Sequence, residues 1–178
     1  MTAYRTVDVD GVEVFYREAG DQAAPTLLLL HGFPTSSSQY QELIHRLSDR
    51  FHLVAPDYPG FGYTEPLEET TTFERLADVV DGFVHALDLE HYGLYVFDFG
   101  APVGYRIATR HPDWIRGVIA QNGNAYEVGL CPQMQPAVKF WADRSGMEAT
   151  IRGALALPAT RAQHTDGAAD PQQVDPDH

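Results

Sequence analysis

Apolar and polar positions alternate at two periods along the first two thirds of the chain, and the switches between them mark out the elements. Thr6–Val9 and Val12–Tyr16 alternate at period two around Asp10-Gly11, a dipeptide suited to a two-residue hairpin turn. Thr26–Leu30 (TLLLL) is continuously apolar and too short for a helix, as expected of a central parallel strand covered on both faces. Gln39–Leu47 carries Tyr40, Leu43, Ile44 and Leu47 at helical spacing, and Phe51–Ala55 reads as another buried strand before the Pro/Gly-rich loop Pro56–Pro66. From Thr72 to Leu87 the apolar residues Phe73, Leu76, Ala77, Val80, Phe83, Val84 and Leu87 fall on one helical face. Thr71 and Glu74 have the spacing of a capping box. A strand at Leu94–Phe97, a helix over Ala101–Arg110 ending before His111-Pro112, and a strand near Gly117–Gln121 follow. This βαβα order predicts an α/β fold with a doubly wound, mainly parallel sheet and helices on both faces.

The rhythm changes after Asn122. Tyr126–Thr150 reads as helical in pieces, and Ile151–Leu157 is a further short apolar stretch. The expected organisation is a core over 1–123, helical segments over 124–157, and a tail over 158–178. In that tail Val174 is the only large aliphatic, too little apolar surface to offset chain ordering, so loop or disorder is expected.

Charge and composition narrow the partners. Among 178 residues, 12 Lys plus Arg stand against 25 Asp plus Glu, a formal net charge of −13, so no nucleic-acid footprint is present. No apolar run approaches the roughly 18–20 residues of a membrane helix, and MTAYRTVDVDG lacks a signal peptide's basic start, so no membrane partner and a cytoplasmic location are expected. The single cysteine, Cys131, reads as a reduced small hydrophobe; no metal site and no cofactor are expected.

Three segments carry chemistry, each placed just after a strand, at the carboxyl edge where open α/β sheets build their sites. The first is His31-Gly32-Phe33-Pro34, whose glycine permits close backbone approach and whose following amide can face a developing oxyanion. The second is Asp57-Tyr58-Pro59-Gly60-Phe61-Gly62, a glycine-pinned loop opening on a carboxylate. In the third, Val96-Phe97-Asp98-Phe99-Gly100, a strand turns sharply into a helix and exposes Asp98 at the top. Ser36, Ser37 and Ser38, at a helix start, read as caps.

HGFP, DYPGFGYTE and VFDFGAPVG, in this order, resemble the oxyanion-hole motif, the loop after the next strand and the nucleophile elbow of the α/β-hydrolase superfamily, in its epoxide hydrolase and haloalkane dehalogenase branch. The resemblance covers roughly Val12 to Gly123. It implies an aspartate nucleophile, Asp98, and an oxyanion hole made by the backbone N–H groups of Phe33 and Phe99, with His31, Gly32 and Pro34 lining the substrate site. The substrate implied is a small molecule, an epoxide or similar electrophile. The nucleophile would form an alkyl ester that a histidine-activated water then hydrolyses.

Four departures bear on that reading. Val96 stands two before the nucleophile, where the motif has a small residue, so a blunter elbow is expected. Phe99 offers no N–H to a halide, unlike the tryptophan usual in dehalogenases, which favours epoxide chemistry. Tyr126 is the only tyrosine after Tyr105 and the candidate acid for an epoxide oxygen. The family's acid and histidine follow later strands that this chain stops short of: His111, His164 and His178 read as surface groups, and Glu127 is a remaining candidate acid. Two functions follow: a hydrolase-like protein with impaired turnover, or a non-catalytic pseudoenzyme or half of a split hydrolase. The last strand's edge should be bare, so self-association through it is expected.

Overall fold

The computed structural model describes residues 1–130 and 132–174, which fall into two compact units, 1–125 and 126–178. Cys131 and His178 lie outside the described residues, as do the side chains of Glu127 and His164.

In the first unit, β1 (Ala3–Val9) and β2 (Val12–Ala19) form the antiparallel hairpin, in register from Val9↔Val12 to Ala3↔Glu18. Asp10 and Gly11 both sit at positive φ, as a tight turn matching strand twist requires. The strands β3 (Thr26–Leu30), β4 (His52–Pro56), β5 (Tyr92–Phe97) and β6 (Ile115–Gln121) complete a six-stranded sheet in the order β1-β2-β4-β3-β5-β6. β2 joins β4 antiparallel, and every later pairing is parallel. Its helices are α1 (Gln41–Leu47), α2 (Phe73–Ala86) and α3 (Gly100–Arg110).

The run TLLLL is apolar throughout because β3 faces two cores. Leu28 and Leu30 pack with Val54, Leu94, Val96, Phe83, Val84 and Ile107 under α2 and α3. Leu29 points the other way, to Ile44, Leu53 and Tyr40 beneath α1. Each large aliphatic so buried contributes about 1.5–3 kcal/mol, which fixes β3 as the sheet's centre.

The helix cap differs from expectation. Thr72, not Thr71, caps α2, its Oγ1 accepting from the Arg75 N–H at 3.1 Å. Consecutive threonines allow either register, and Glu74 is drawn instead to Arg106 and Arg110 of α3, which leaves no carboxylate to complete a box.

The second unit contains α4 (Gln135–Ala142), α5 (Arg144–Ala154) and α6 (Leu157–Thr165). α6 and a 3-10 turn at Pro171–Gln173 occupy part of the segment expected to be loop or disordered. Apolar content was the wrong gauge there: Pro158 in the first turn and the run Ala159, Arg161, Ala162, Gln163 favour a helix locally without a buried face. Among the described residues no helix is long and apolar enough to cross a membrane, and no group of three or more His, Cys, Asp or Glu is placed to hold a metal ion.

Candidate active site

β5 ends at Phe97 and α3 begins at Gly100, so the chain reverses over Asp98 and Phe99. Asp98 has φ +49°, a left-handed conformation that costs an L-residue roughly 1–2 kcal/mol and is found where surrounding packing enforces it. The packing is visible at Gly100: a Cβ there would lie 2.0 Å from the Leu30 carbonyl oxygen, so α3 starts directly against β3. Val96 does not blunt the turn. It is fully buried, and its Cγ1 occupies the space that a side chain on Gly104 would need.

The Phe33 N–H donates to Asp98 Oδ1 at 2.8 Å across a sequence separation of 65 residues. Asp98 is therefore not a helix cap; Phe99 holds the N-cap position of α3. Gly32 is what lets the two strand ends meet, since a Cβ there would lie 2.6 Å from Asp98 Cβ. Around this contact the rings of Phe33, Phe61 and Phe73 each lie 4.9–6.3 Å from that of Phe99, forming an apolar collar. Pro34, joined to Phe33 by a cis peptide, is exposed.

His31 has a different place from the one expected of a substrate-contacting ring. It is wholly buried, its Nδ1 lies 3.0 Å from the Gly32 carbonyl and its Nε2 accepts from the Tyr58 N–H at 3.2 Å. Both nitrogens are used by backbone, which requires the neutral ring with its proton on Nδ1. Burial lowers its pKa below the ordinary imidazole value, against the opposing pull of the Gly32 carbonyl and the charges of Asp57 and Asp98. His31 thus ties the loop after β3 to the loop after β4.

Asp57 works from the other side. It is buried, and its two carboxylate oxygens accept from Ser37 N–H at 2.7 Å and Tyr63 N–H at 3.0 Å. Gly62, at φ +54°, approaches so closely that a Cβ would sit 1.9 Å from Asp57 Oδ2. Thr64 Oγ1 donates to the Asp57 carbonyl and accepts from the Phe15 N–H, and Arg17 Nε donates to Ser37 Oγ at 3.0 Å. Ser36 caps the 3-10 turn Ser37–Tyr40. Sequence reading missed Arg17 and Phe73 here, which arrive from distant segments outside the three motifs, and the part played by Thr64, which lies within the second.

Tyr58 is fully buried against the His31 ring, 4.2 Å between centroids, and its hydroxyl has no hydrogen-bond partner among the described residues. Burial pushes its pKa well above the ordinary phenol value, so it stays protonated. Tyr58→Phe removes a desolvated hydroxyl and should leave stability unchanged or raise it by about 1 kcal/mol. Urea unfolding checks this; a loss above that size would show a bonded hydroxyl.

Three further histidines hold partners elsewhere. His52 bridges Thr26 Oγ1 and Glu18 Oε1, both at 3.0 Å, and His111 stacks on Trp114 and pairs with Asp81 at 3.0 Å. His85 Nδ1 lies 2.7 Å from the Asp81 carbonyl. Glu18 has a lowered pKa because its bonds from Gln22 and His52 and the charge of Arg5 outweigh burial, the largest single influence, which acts upward. Two folded-state pKa values lie below their unfolded ones, so both groups contribute stability that is present at neutral pH and lost on acidification. The loss should begin as pH falls below about 6.5, where unfolded imidazole starts to bind the proton that buried His31 refuses. It should steepen below about 4.5, where Glu18 joins. Thermal unfolding against pH should show this two-stage decline, and His31→Gln should flatten its upper stage.

The chain belongs to the α/β-hydrolase fold family, whose model matches residues 25–152. It is 40% identical over 173 residues to an uncharacterized hydrolase of Saccharomyces cerevisiae, covering 94% of this chain and 60% of that protein. It is 37% identical over 119 residues to haloalkane dehalogenase 2 of Mycobacterium tuberculosis, covering 66% of this chain and 41% of the relative. Among solved structures, epoxide hydrolase VrEH1 of Vigna radiata is similar with a TM-score of 0.68 at 25% identity, covering 94% of this chain and 51% of that one. The chain thus spans about two fifths to three fifths of the length of these relatives.

Proposed function

We propose that Asp98 is a nucleophile toward a small epoxide or similar electrophile. The observation that carries this reading is the Asp98 carboxylate itself, raised on a left-handed turn at the sheet's carboxyl edge with Oδ1 held by the Phe33 amide. Oδ2 is then the oxygen that attacks. Its lone pair forms the C–O bond as the ring C–O bond breaks, and the released oxygen takes a proton from an acid, giving a hydroxyalkyl ester. Water adding to that ester places negative charge on the Asp98 carbonyl oxygen, where the Phe33 N–H, and the Phe99 N–H at the start of α3, stabilise it. The backbone of Gly32 and Pro34 borders the electrophile, whereas the His31 ring acts by holding the loop.

The rings of His31, His52, His85 and His111 all have partners other than Asp98, which supports slow or absent ester hydrolysis. The same observation favours a second reading, a ligand-binding pseudoenzyme or one half of an assembly whose other chain supplies the base. Counting diol released per protein molecule from a terminal epoxide separates them. One equivalent or less, with ester retained on the protein, supports a nucleophile without a base. Sustained release abolished by Asp98→Ala shows a base in place, and neither ester nor diol leaves binding alone.

A further inference from the structure

Four phenylalanines from four separate segments meet at the carboxylate: Phe33 after β3, Phe61 in the loop after β4, Phe73 at the start of α2 and Phe99 just before α3. Phe33 and Phe99 flank Asp98 itself, the first through its amide bond to Oδ1 and the second as the next residue in the chain. The collar is built wholly between residues 33 and 99. Phe73 and Phe61 meet Phe99 edge to face, at 4.9 Å and 85° and at 6.3 Å and 76°, while Phe33 lies 5.6 Å from it and tilted by 34°. Rings held in this way keep fixed mutual orientations, so an incoming group meets an ordered set of electron-rich faces and electron-poor edges.

Phe73 is placed twice over. Thr72 caps α2 and so puts Phe73 at its first position. The next residue, Glu74, pairs with Arg106 Nε at 2.9 Å and with Arg110, and Asp78 pairs with Arg110 at 2.8 Å. These pairs tie the first two turns of α2 to α3, whose N-cap residue is Phe99. The 4.9 Å contact between Phe73 and Phe99 is therefore set by the way the two helices lie together.

We infer that the collar receives the substituent of the electrophile and favours a flat aromatic one, and that Phe73 is the positioning residue that sets this preference by holding the Phe99 ring. The inference rests on Asp98 being the nucleophile and adds the kind of epoxide it takes. An aryl ring can complete the edge-to-face array, whereas a cyclohexyl group of similar size offers apolar area alone. Area burial by itself favours the larger cyclohexyl group, so a preference for aryl reads ring geometry.

Two epoxides that differ only in this group, benzyloxirane and cyclohexylmethyloxirane, provide the test. Intact mass spectrometry of the full chain against time and epoxide concentration reads ester formation, with adducts on Asp98→Ala subtracted. The chain should capture benzyloxirane roughly two- to tenfold more efficiently. The difference should lie in the half-saturating concentration rather than the limiting rate, because the substituent's contacts are alike before and during attack. Phe73→Leu, which keeps apolar bulk and removes the ring, should bring the ratio toward one, and Phe73→Tyr, which keeps the ring, should preserve it. Should Phe73→Leu fail to fold, Phe99→Leu removes the ring that Phe73 holds and carries the same expectation. Equal capture of the two epoxides by the unaltered chain, a ratio that survives loss of the ring, or an equal slowing of both epoxides would overturn the inference while leaving Asp98 as nucleophile. No Asp98-dependent adduct from either epoxide would overturn the nucleophile, and the inference with it.

Discussion

Asp98→Ala and Asp98→Gly should both reduce covalent capture of an epoxide to background, yet differ in stability. Each removes the carboxylate and its bond from the Phe33 amide, so neither can form the ester. Alanine must still adopt φ near +49°, where its Cβ meets the following carbonyl, whereas glycine adopts it without penalty. The glycine variant is expected to be more stable than the alanine variant by about 1 kcal/mol, or a few degrees in melting temperature. Capture read by intact mass and stability read by thermal unfolding separate the two effects. Equal melting of the two variants would mean that the turn relaxes when the carboxylate is gone. The strain would then belong to the site rather than to the packing of Gly100 on β3.

The largest stability effect is expected at Asp57 rather than at Asp98. Asp57→Ala leaves the amides of Ser37 and Tyr63 without acceptors in the interior, each costing about 1–3 kcal/mol, for a total of roughly 2–6 kcal/mol. Asp57→Asn should fall between, since one amide would face an NH2 group in place of an oxygen. The consequence reaches the site through His31, which is anchored to the Tyr58 amide one residue further along the same loop. Loosening that loop weakens the restraint on Gly32 and Phe33. Epoxide capture by Asp57→Asn should therefore slow even where the protein remains folded, and an unchanged rate would show that the Phe33 amide is positioned by its own strand alone.

Asp57 also shows what one sequence can and cannot disclose. Its position at the head of a glycine-rich loop after a strand was legible, because Leu53–Ala55 in β4 is apolar and glycines mark the turn. Its part in holding two loops together was not, since its bonds to Ser37 and Tyr63 depend on how β3 and β4 lie side by side. His31 is the same case: its motif placed it at the sheet edge, and only the fold buries its ring. At Asp98 local and global signals agree. A strand period gives way to a helical one across a single residue, and the turn forms there despite Val96, because Gly104, eight residues on, makes room. α6 lies at the other extreme, a helix made by propensity with no apolar face to announce it.

The proposed chemistry requires the Asp98 carboxylate to be the reactive group. Fragmentation mass spectrometry of the protein after incubation with a terminal epoxide reads this directly. The predicted result is a single epoxide mass localised to Asp98 and absent from Asp98→Ala. An adduct on Cys131, on a histidine or on another carboxylate, present to the same extent in Asp98→Ala, would contradict it.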